Sequence, residues 1–301
     1  MAGGQATGTL RVTSRNARFQ QWQALLGNRA KRNQAGEFLV HGVRPISLAA
    51  ASGWPLHALI YDAGRPLSDW AAQLLRSADA VQVAMAPDLL AELGEKDGGR
   101  PELVAVAGLP RDDLDRIPAS DRFLGVVLDR PASPGNIGSI IRSADAFGAH
   151  GVIVTGHAAD VYDPRSVRAS TGSLFAVPVV RCPSHREVAG WLAARRAEGW
   201  PVMLAGADEH GGQAVLDADF TGPTLLAVGN EGTGLSSGWR ELCDHLVSIP
   251  MTGAGAASSL NAANAATTIL YEAARQRILA QRDSAGQGEA RAGGNESGDC
   301  Y

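Results

Sequence analysis

The segment FLGVVLDRPASPGNIGSIIRSADAFGA (123–149) decides the fold that we expect for this chain. Its first seven residues form a short apolar run that predicts a buried strand. Pro134 and Gly135 then make a turn, and Asn136 opens a helix. The helix carries an apolar stripe at helical spacing, formed by Ile137, Ile140, Ile141, Ala144 and Phe147. Arg142 lies off this stripe and is therefore free to reach a polar site.

The same alternation of strand and helix continues on both sides of this segment. Further strand candidates in the second half are GVIVTG (151–156), VPVVR (177–181), PVMLAGAD (201–208), PTLLAVG (223–229) and HLVSIP (245–250), before a long helix at 260–279. Those in the first half are EFLVHG (37–42), HALIYD (57–62), VQVAM (81–85) and ELVAVAG (102–108). Both halves therefore predict α/β domains with parallel strands covered by helices. Such sheets bind ligands beyond the carboxyl ends of their strands.

Composition along the chain predicts two domains and two tails. A chain of 301 residues is long enough for two domains, each with its own core. An acidic stretch bounded by Pro110 and Pro118 is typical of a linker. We expect a disordered tail at 1–10, a small α/β domain at 11–108, the linker at 109–122, a second α/β domain at 123–280 and a disordered tail at 281–301.

Several classes of protein are disfavoured by the same composition. The chain has no apolar run of roughly eighteen residues, so no membrane span is expected. The N-terminus lacks an apolar signal core, which makes the cytoplasm the default location. The three cysteines are far apart and the seven histidines lack ligand spacing, so neither a disulfide framework nor a metal site is expected.

Basic residues are concentrated near the N-terminus. The whole chain has a net charge of −4 and a pI of about 6.0, which does not indicate nucleic-acid binding. Residues 11–44, however, hold seven basic residues against one acid, whereas 62–121 hold twelve acids against six bases. A local positive patch attracts phosphates whatever the total charge. The candidate RNA contacts are Arg15, Arg29, Lys31, Arg32 and Arg44; the alternative is a solvated basic surface.

A glycine-rich segment, VGNEGTGLS (228–236), ends the strand candidate PTLLAVG. Gly229, Gly232 and Gly234 allow the backbone to approach a ligand closely. Their spacing is not GxGxxG, and the chain has no GxxxxGK, so neither a dinucleotide fingerprint nor a P-loop is supported. Glu231 places a carboxylate in this turn, where it is either simply solvated or part of a site.

A third segment, SIPMTGAGAASSLNAANAATTILYEAARQR (248–277), joins a strand to the terminal helix. Ser258 or Ser259 is expected to cap the helix. Asn261 and Asn264 are three residues apart and are expected to share a helix face that is rich in alanine. A glycine- and alanine-rich insertion (253–257) precedes this helix start.

In this order, the segments 135–149, 228–236 and 248–277 resemble the three motifs of the SpoU/TrmH-type SPOUT RNA ribose methyltransferases, over most of 122–279. The resemblance implies S-adenosylmethionine as cofactor, a deep trefoil knot in the C-terminal SPOUT domain and a homodimer built on that domain. The preceding region looks like the small RNA-binding α/β domain of this family. Within the family, the chain most resembles the avilamycin-resistance type of 23S rRNA uridine 2′-O-methyltransferase, with thiostrepton-resistance and general ribosomal or tRNA members as alternatives.

The resemblance therefore implies 2′-O-methylation of a ribose in ribosomal RNA, at a uridine of 23S rRNA, and resistance to a ribosome-targeting antibiotic. It assigns catalysis to Asn136, Arg142, Glu231, Ser259 and Asn261. It assigns the cofactor to Gly229, Asn230, Ile249, Met251 and Leu260. In the family the arginine is a proton acceptor or its assistant. Because a free arginine is a weak base, we prefer that Arg142 contacts the nucleotide phosphate and stabilises the forming oxyanion.

Two hypotheses from other classes compete with this interpretation. One is a non-catalytic RNA-binding protein with the same fold, which would be expected to lack Arg142, Glu231 or Asn261; all three are present. The other is a small-molecule enzyme that uses the glycine turns to bind a nucleotide. The absence of a dinucleotide or P-loop pattern argues against it, although fold alone does not settle function.

Overall fold

The computed structural model describes residues 9–94, 99–118, 120–253 and 259–292, with side chains up to residue 283. The N-terminal part contains the strands β1 (Leu10–Val12), β2 (Glu37–His41), β3 (Leu56–Asp62), β4 (Val81–Met85) and β5 (Leu103–Gly108). Its helices are α1 (Ala17–Gly27), α2 (Arg29–Ala35), α3 (Val43–Ala51), α4 (Asp69–Ser77) and α5 (Pro87–Leu93).

The C-terminal part contains the strands β6 (Leu124–Asp129), β7 (Gly151–Thr155), β8 (Val179–Cys182), β9 (Met203–Ala207), β10 (Gln213–Ala214), β11 (Thr224–Val228) and β12 (His245–Ser248). Its helices are α6 (Pro134–Ala146), α7 (Pro164–Ala169), α8 (His185–Ala197), α9 (Ser237–Leu242) and α10 (Ala262–Ala292). The strands form one sheet in the order β10-β12-β9-β11-β6-β7-β8, and every described pair is parallel. This confirms the predicted α/β class, and it brings the loops after β6, β9, β11 and β12 to one edge.

The N-terminal sheet is mixed, which corrects the prediction of parallel strands. Its order is β1-β4-β3-β5-β2, and β5 runs antiparallel to both β3 and β2. The cause is the short helix α5, which leaves the chain at the edge of the sheet where β4 ends and does not carry it back to the edge where β4 begins. His41 Nε2 at the end of β2 lies 2.7 Å from the carbonyl oxygen of Leu93, the last residue of α5. The chain therefore enters β5 from the edge at which β2 ends.

Both predicted tails are shorter than expected. Leu10 begins β1, which pairs in parallel with β4, so the N-terminal sheet starts one residue earlier than predicted. At the other end, α10 continues to Ala292 rather than ending near residue 280. Extending an existing helix costs far less than nucleating one, which accounts for a helix that continues through 282–292 although this stretch contains two glycines. Residues 1–8 and 293–301 lie outside the described part of the chain.

Each domain has a hydrophobic cluster of its own, as predicted, but a further cluster spans both sheets, which the prediction of separate cores did not anticipate. The ring centroids of Phe38 and Tyr162 are 4.9 Å apart, and those of Trp54 and Phe175 are 5.1 Å apart. These pairs join the N-terminal domain to the segment after β7. The region predicted as a linker is also packed, since Ile117 is only 5% exposed.

Helices α6 and α10 lie side by side and run in the same direction. Ser143 Oγ is 2.7 Å from Thr267 Oγ1, and the rings of Phe147 and Tyr271 are 5.9 Å apart. This register places the first turns of both helices at the same edge of the molecule. In the described chain, no helix is long and apolar enough to cross a bilayer.

Candidate active site

Glu231 joins two loops at the carboxyl edge of the C-terminal sheet. Its Oε1 accepts hydrogen bonds from Asn136 Nδ2 at 2.9 Å and from the Ser133 backbone N–H at 3.2 Å. Its Oε2 accepts one from the Ala132 N–H at 2.9 Å. Burial alone would raise the pKa of Glu231, but these hydrogen bonds favour the ionised form and hold the pKa below its ordinary value. The structure thus brings together Asn136 and Glu231, which are 95 residues apart in sequence.

The glycine segment folds into a tight turn because glycine stands at two critical positions. A Cβ at Gly229 would lie only 2.2 Å from the carbonyl carbon of Gly234, and Gly234 itself has a φ of +64°. Asn230 and Gly234 exchange backbone hydrogen bonds of 3.0 and 2.9 Å, and Asn230 Oδ1 accepts the Gly232 N–H at 2.9 Å. This closed turn presents Glu231 to the loop that precedes α6.

A second connection between the same loops was missed by sequence reasoning. Asp129 is buried and accepts hydrogen bonds from Arg130 Nε and Nη2, both at 3.0 Å, and from the Ser236 N–H at 2.8 Å. Arg130 has a φ of +52°, unusual outside glycine, and its carbonyl accepts from Asn230 Nδ2 at 2.7 Å. The available signal was a charged pair directly after an apolar strand.

A cavity of about 330 Å³ opens beside the glycine turn. All the predicted cofactor residues line it: Gly229, Asn230, Ile249, Met251 and Leu260. Glu231 and Ser259, predicted as catalytic, also lie on its wall. The volume is in the range of small-molecule sites. The charged residues Asp208, Glu209 and Arg240 on the same wall were not predicted.

The composition of this wall suits S-adenosylmethionine. Apolar side chains from the end of β12 and from α10, including Ile249 and Ile269, offer a surface for a flat heterocycle. The glycine turn exposes backbone groups, and the acidic side chains suit the two positive charges of that molecule. The described residues contain no cluster of three or more histidine, cysteine, aspartate or glutamate side chains that could hold a metal ion.

Arg142 is exposed on α6. No hydrogen bond or ion pair engages its guanidinium within the described residues. Helical side chains point back toward the helix N-terminus, so the long arginine covers the turn that lies toward Asn136. This arrangement leaves Arg142 available to a bound substrate.

The start of α10 corrects the predicted cap. Asn261, not a serine, caps the helix: its Oδ1 accepts the Ala263 N–H at 2.9 Å, and its carbonyl accepts the Ala265 N–H at 2.9 Å. Ser259 precedes the cap, and Ser258 lies outside the described residues, as does most of the 253–257 insertion. Asn264 is exposed on the helix, whereas Asn261 precedes the first turn, so the two do not share a helix face as predicted.

The basic residues of the N-terminal domain differ in their availability. Arg32 is only 2% exposed and forms a buried ion pair with Asp160 at 2.7 Å, so its prediction as an RNA contact is wrong. Arg15 is paired with Glu92, but its side chain is 66% exposed. Also exposed are Arg29, which donates to the Ala158 carbonyl at 2.7 Å, Lys31, which donates to Gln34 at 3.2 Å, and Arg44. Arg15, Arg29, Lys31 and Arg44 therefore stay candidate RNA contacts.

Comparison with known proteins gives the family. Residues 16–105 match the model of the SpoU L30e-like domain, and residues 124–271 match that of the SpoU rRNA Methylase family. Over 268 residues, 89% of this chain and 93% of the relative, the chain is 69% identical to a 23S rRNA (uridine(2479)-2′-O)-methyltransferase from Streptomyces viridochromogenes.

Solved structures agree with this result. The SpoU methyltransferase AviRb from Streptomyces viridochromogenes, in complex with AdoMet, superposes with a TM-score of 0.85 at 69% identity, covering 88% of this chain and 99% of that chain. An AdoMet-bound rRNA methyltransferase from Sinorhizobium meliloti gives a TM-score of 0.78 at 28% identity, covering 89% and 98%. The chain therefore belongs to the SpoU rRNA methylase family, with an N-terminal SpoU L30e-like domain and a C-terminal SPOUT methyltransferase domain.

Proposed function

We propose that this protein transfers a methyl group from S-adenosylmethionine to the ribose 2′-oxygen of a uridine in 23S rRNA. The observation that carries the proposal is the hydrogen-bonded pair of Asn136 and Glu231 beside a nucleoside-sized cavity. Support also comes from the high identity to a 23S rRNA uridine 2′-O-methyltransferase over nearly the whole chain. A non-catalytic RNA-binding protein would have no need for this cavity beside an ordered carboxylate–amide pair.

The cofactor-binding part of the proposal assigns the donor to the cavity. When bound, S-adenosylmethionine supplies a methyl group activated by a positively charged sulfur. Gly229 and Asn230 would hold it through the glycine turn, and Ile249, Met251 and Leu260 would cover its apolar parts. Met251 and Leu260 are partly exposed, at 47% and 38%, which leaves apolar surface for a ligand to bury.

In the proposed reaction, Arg142 acts on the RNA. A ribose hydroxyl is a weak nucleophile until its proton is removed or its developing charge is stabilised. Arg142, with an exposed guanidinium, would hold the adjoining phosphate and stabilise the forming oxyanion. A guanidinium stays protonated in proteins and is therefore a poor proton acceptor.

Glu231 would act as a positioning residue rather than as the general base. Its lowered pKa makes it a weak base at neutral pH, and both of its oxygens already accept hydrogen bonds. Its role would be to hold Asn136 and the loop before α6 at the rim of the cavity. The proton would then pass to the substrate phosphate or to water. Ser259 on the cavity wall and Asn261 at the cap would shape the floor on which the ribose rests.

RNA recognition is assigned to the exposed cations of the N-terminal domain. Arg15, Arg29, Lys31 and Arg44 are exposed, and phosphate contacts of this kind make binding depend on salt. The fixed contact between the two domains would let the N-terminal domain set which nucleotide reaches the cavity. Ribose targets in loops are reached by splaying nucleotides outward, and the 2′-hydroxyl itself distinguishes RNA from DNA.

The homodimer belongs to the same proposal. Three large apolar side chains on α10 are exposed: Tyr271 at 56%, Ile278 at 50% and Leu279 at 43%. A second copy of the chain would bury them. Light scattering should give twice the chain mass for the wild type and the mass of one chain for Ile278→Glu; a monomeric wild type would contradict the dimer. A deep trefoil knot around the cavity and a cytoplasmic location also stay predictions.

The experiment that tests the proposal compares rRNA from cells with and without this protein. We expect one fragment of 23S rRNA to gain the mass of a methyl group on a ribose, measured by mass spectrometry of nuclease digests. Cells that carry Arg142→Ala should lack this mass. Unchanged 23S rRNA, or a methyl group on a base, would contradict the proposal. If the modification confers antibiotic resistance, the same cells should differ in growth with a ribosome-targeting drug.

A further inference from the structure

An ion pair on the cavity wall has no part in the reaction described so far. Asp208 follows β9, and its side chain is only 3% exposed although it borders the cavity. Its Oδ1 accepts the His210 N–H at 2.9 Å, and its Oδ2 is paired with Arg240 Nη2 on α9. The Arg240 side chain is 44% exposed. A buried carboxylate thus holds an accessible guanidinium at the cavity.

The guanidinium of Arg240 has further N–H groups. Across the described residues, no second hydrogen bond or ion pair engages them. A guanidinium carries five N–H donors in a planar fork, and contact with Asp208 uses only one side of it. The remaining donors match the geometry of a second carboxylate.

The charges around the cavity single out Arg240. Its described wall carries three acids, Asp208, Glu209 and Glu231, and Arg240 is the one basic side chain among them. S-adenosylmethionine has two cationic groups, the sulfonium and the α-ammonium, and a single anionic group, the α-carboxylate. The acids suit the cations, whereas the anion has one complementary side chain on this wall.

We infer that Arg240 binds the α-carboxylate of the methyl donor, with Asp208 as the residue that positions it. The inference rests on the proposed function, because it assumes that the donor occupies this cavity. It assigns the amino-acid end of the donor to the side of the cavity formed by α9 and the end of β9. The adenine end then faces the apolar side formed by Ile249, Leu260 and Ile269.

The test pairs a change in the ligand with a change in the protein. Isothermal titration calorimetry would measure binding of S-adenosylmethionine and of its decarboxylated analogue, which lacks only the α-carboxylate. The wild type should bind the complete donor roughly 10- to 100-fold more tightly, as expected for a hydrogen bond between charged groups. Arg240→Ala should bind the two ligands with affinities within about twofold of each other, since the group that distinguishes them is gone.

Arg196→Ala is the matched control. Arg196 is 40% exposed and is paired with Asp244. Asp244 accepts a hydrogen bond from the Leu204 N–H, near the start of β9, whereas Asp208 follows the end of that strand. This variant should keep the wild-type preference for the complete donor, because its ion pair does not border the cavity.

Two results would overturn the inference. One is equal affinity of the wild type for the complete donor and for its decarboxylated analogue. This result needs no variant and so does not depend on whether Arg240→Ala folds. The other is an Arg240→Ala protein that retains the wild-type preference. If the wild type does not bind S-adenosylmethionine at all, the proposed function fails, and the assignment of Arg240 fails with it.

Discussion

Two regions that were both selected from sequence behave differently in the structure: the glycine turn (229–236) and the basic start of α2 (29–32). In the turn, local backbone rules fix the geometry, because Gly229 permits a close approach and Gly234 a positive φ. In α2, three cations within one helical turn have two different environments. Arg32 is buried in an ion pair, whereas Arg29 and Lys31 are exposed. Motif spacing thus predicts a turn, but a count of charges does not tell which helix face meets another domain.

The largest effect in this comparison should come from the buried cation. Arg32→Ala leaves Asp160 buried without its ion-pair partner, so we expect the free energy of unfolding to fall by about 3–5 kcal/mol. Lys31→Ala, one residue away and exposed, should change it by no more than about 0.5 kcal/mol. Urea denaturation of both variants measures the difference. Equal stabilities would show that the ion pair does not hold the domains together.

On the side of the active site, Arg142→Ala should lower methyl transfer by roughly 100- to 1,000-fold, as expected for loss of a group that stabilises an oxyanion. Binding of S-adenosylmethionine should stay unchanged, because Arg142 does not line the described cavity. Single-turnover transfer to RNA and calorimetry give the two quantities. Arg186→Ala, which removes an exposed arginine of α8, is the control. Full transfer by the Arg142 variant would remove this residue from the mechanism.

The exposed cations should affect RNA binding rather than stability. Replacing Arg29, Lys31 and Arg44 together with alanine should weaken RNA binding and flatten its dependence on salt. The logarithmic slope should become shallower by about 0.7 for each phosphate that the variant no longer neutralises. Fluorescence anisotropy at several salt concentrations measures this slope. Arg186→Ala again serves as the control, and an unchanged slope would mean that this basic surface is merely solvated.

A smaller effect is expected from substitution of Glu231 in the glycine turn. Glu231→Gln places an amide N–H where a carboxylate accepts backbone N–H groups, so S-adenosylmethionine binding should weaken by about 10-fold. Because the pKa of Glu231 is lowered in the folded protein, its stabilising effect is present above its ordinary value of 4.5 and is lost as pH falls through the lower folded value.

Measuring the affinity for the donor from neutral pH downward tests the direction of this pKa shift. Above pH 4.5, protonation of Glu231 should not weaken donor binding. In the wild type, a loss of binding near neutral pH that is absent from Glu231→Gln would contradict the lowered pKa.

Much of the fold followed from local patterns, and the exceptions have physical causes. The predicted strands of the C-terminal sheet follow from buried apolar runs, and the observed order keeps them parallel. The direction of β5 depends on where α5 ends, which apolar periodicity does not encode. The two-residue strand β10 and the three-residue strand β1 are too short to produce a periodic signal.

The candidate site also divides into residues that sequence patterns predicted and residues that they missed. The spacing of the motifs brought out Asn136, Glu231 and the cavity residues, because each follows a strand at the same edge of the sheet. Asp129, Arg130, Asp208 and Arg240 were missed, since a charged residue after a strand has the same local signature whether it is solvated or paired. Apart from the adjacent pair of Asp129 and Arg130, their partners lie about 30 to 107 residues away and become visible only in the folded chain.

The most direct test of this account is methyl transfer to two versions of a 23S rRNA fragment, one natural and one with a 2′-deoxy sugar at the modified uridine. With purified protein and labelled S-adenosylmethionine, we predict that label enters the natural fragment and not the deoxy fragment. Equal labelling of both fragments, or of neither, would contradict the assignment of this chain as an rRNA ribose 2′-O-methyltransferase.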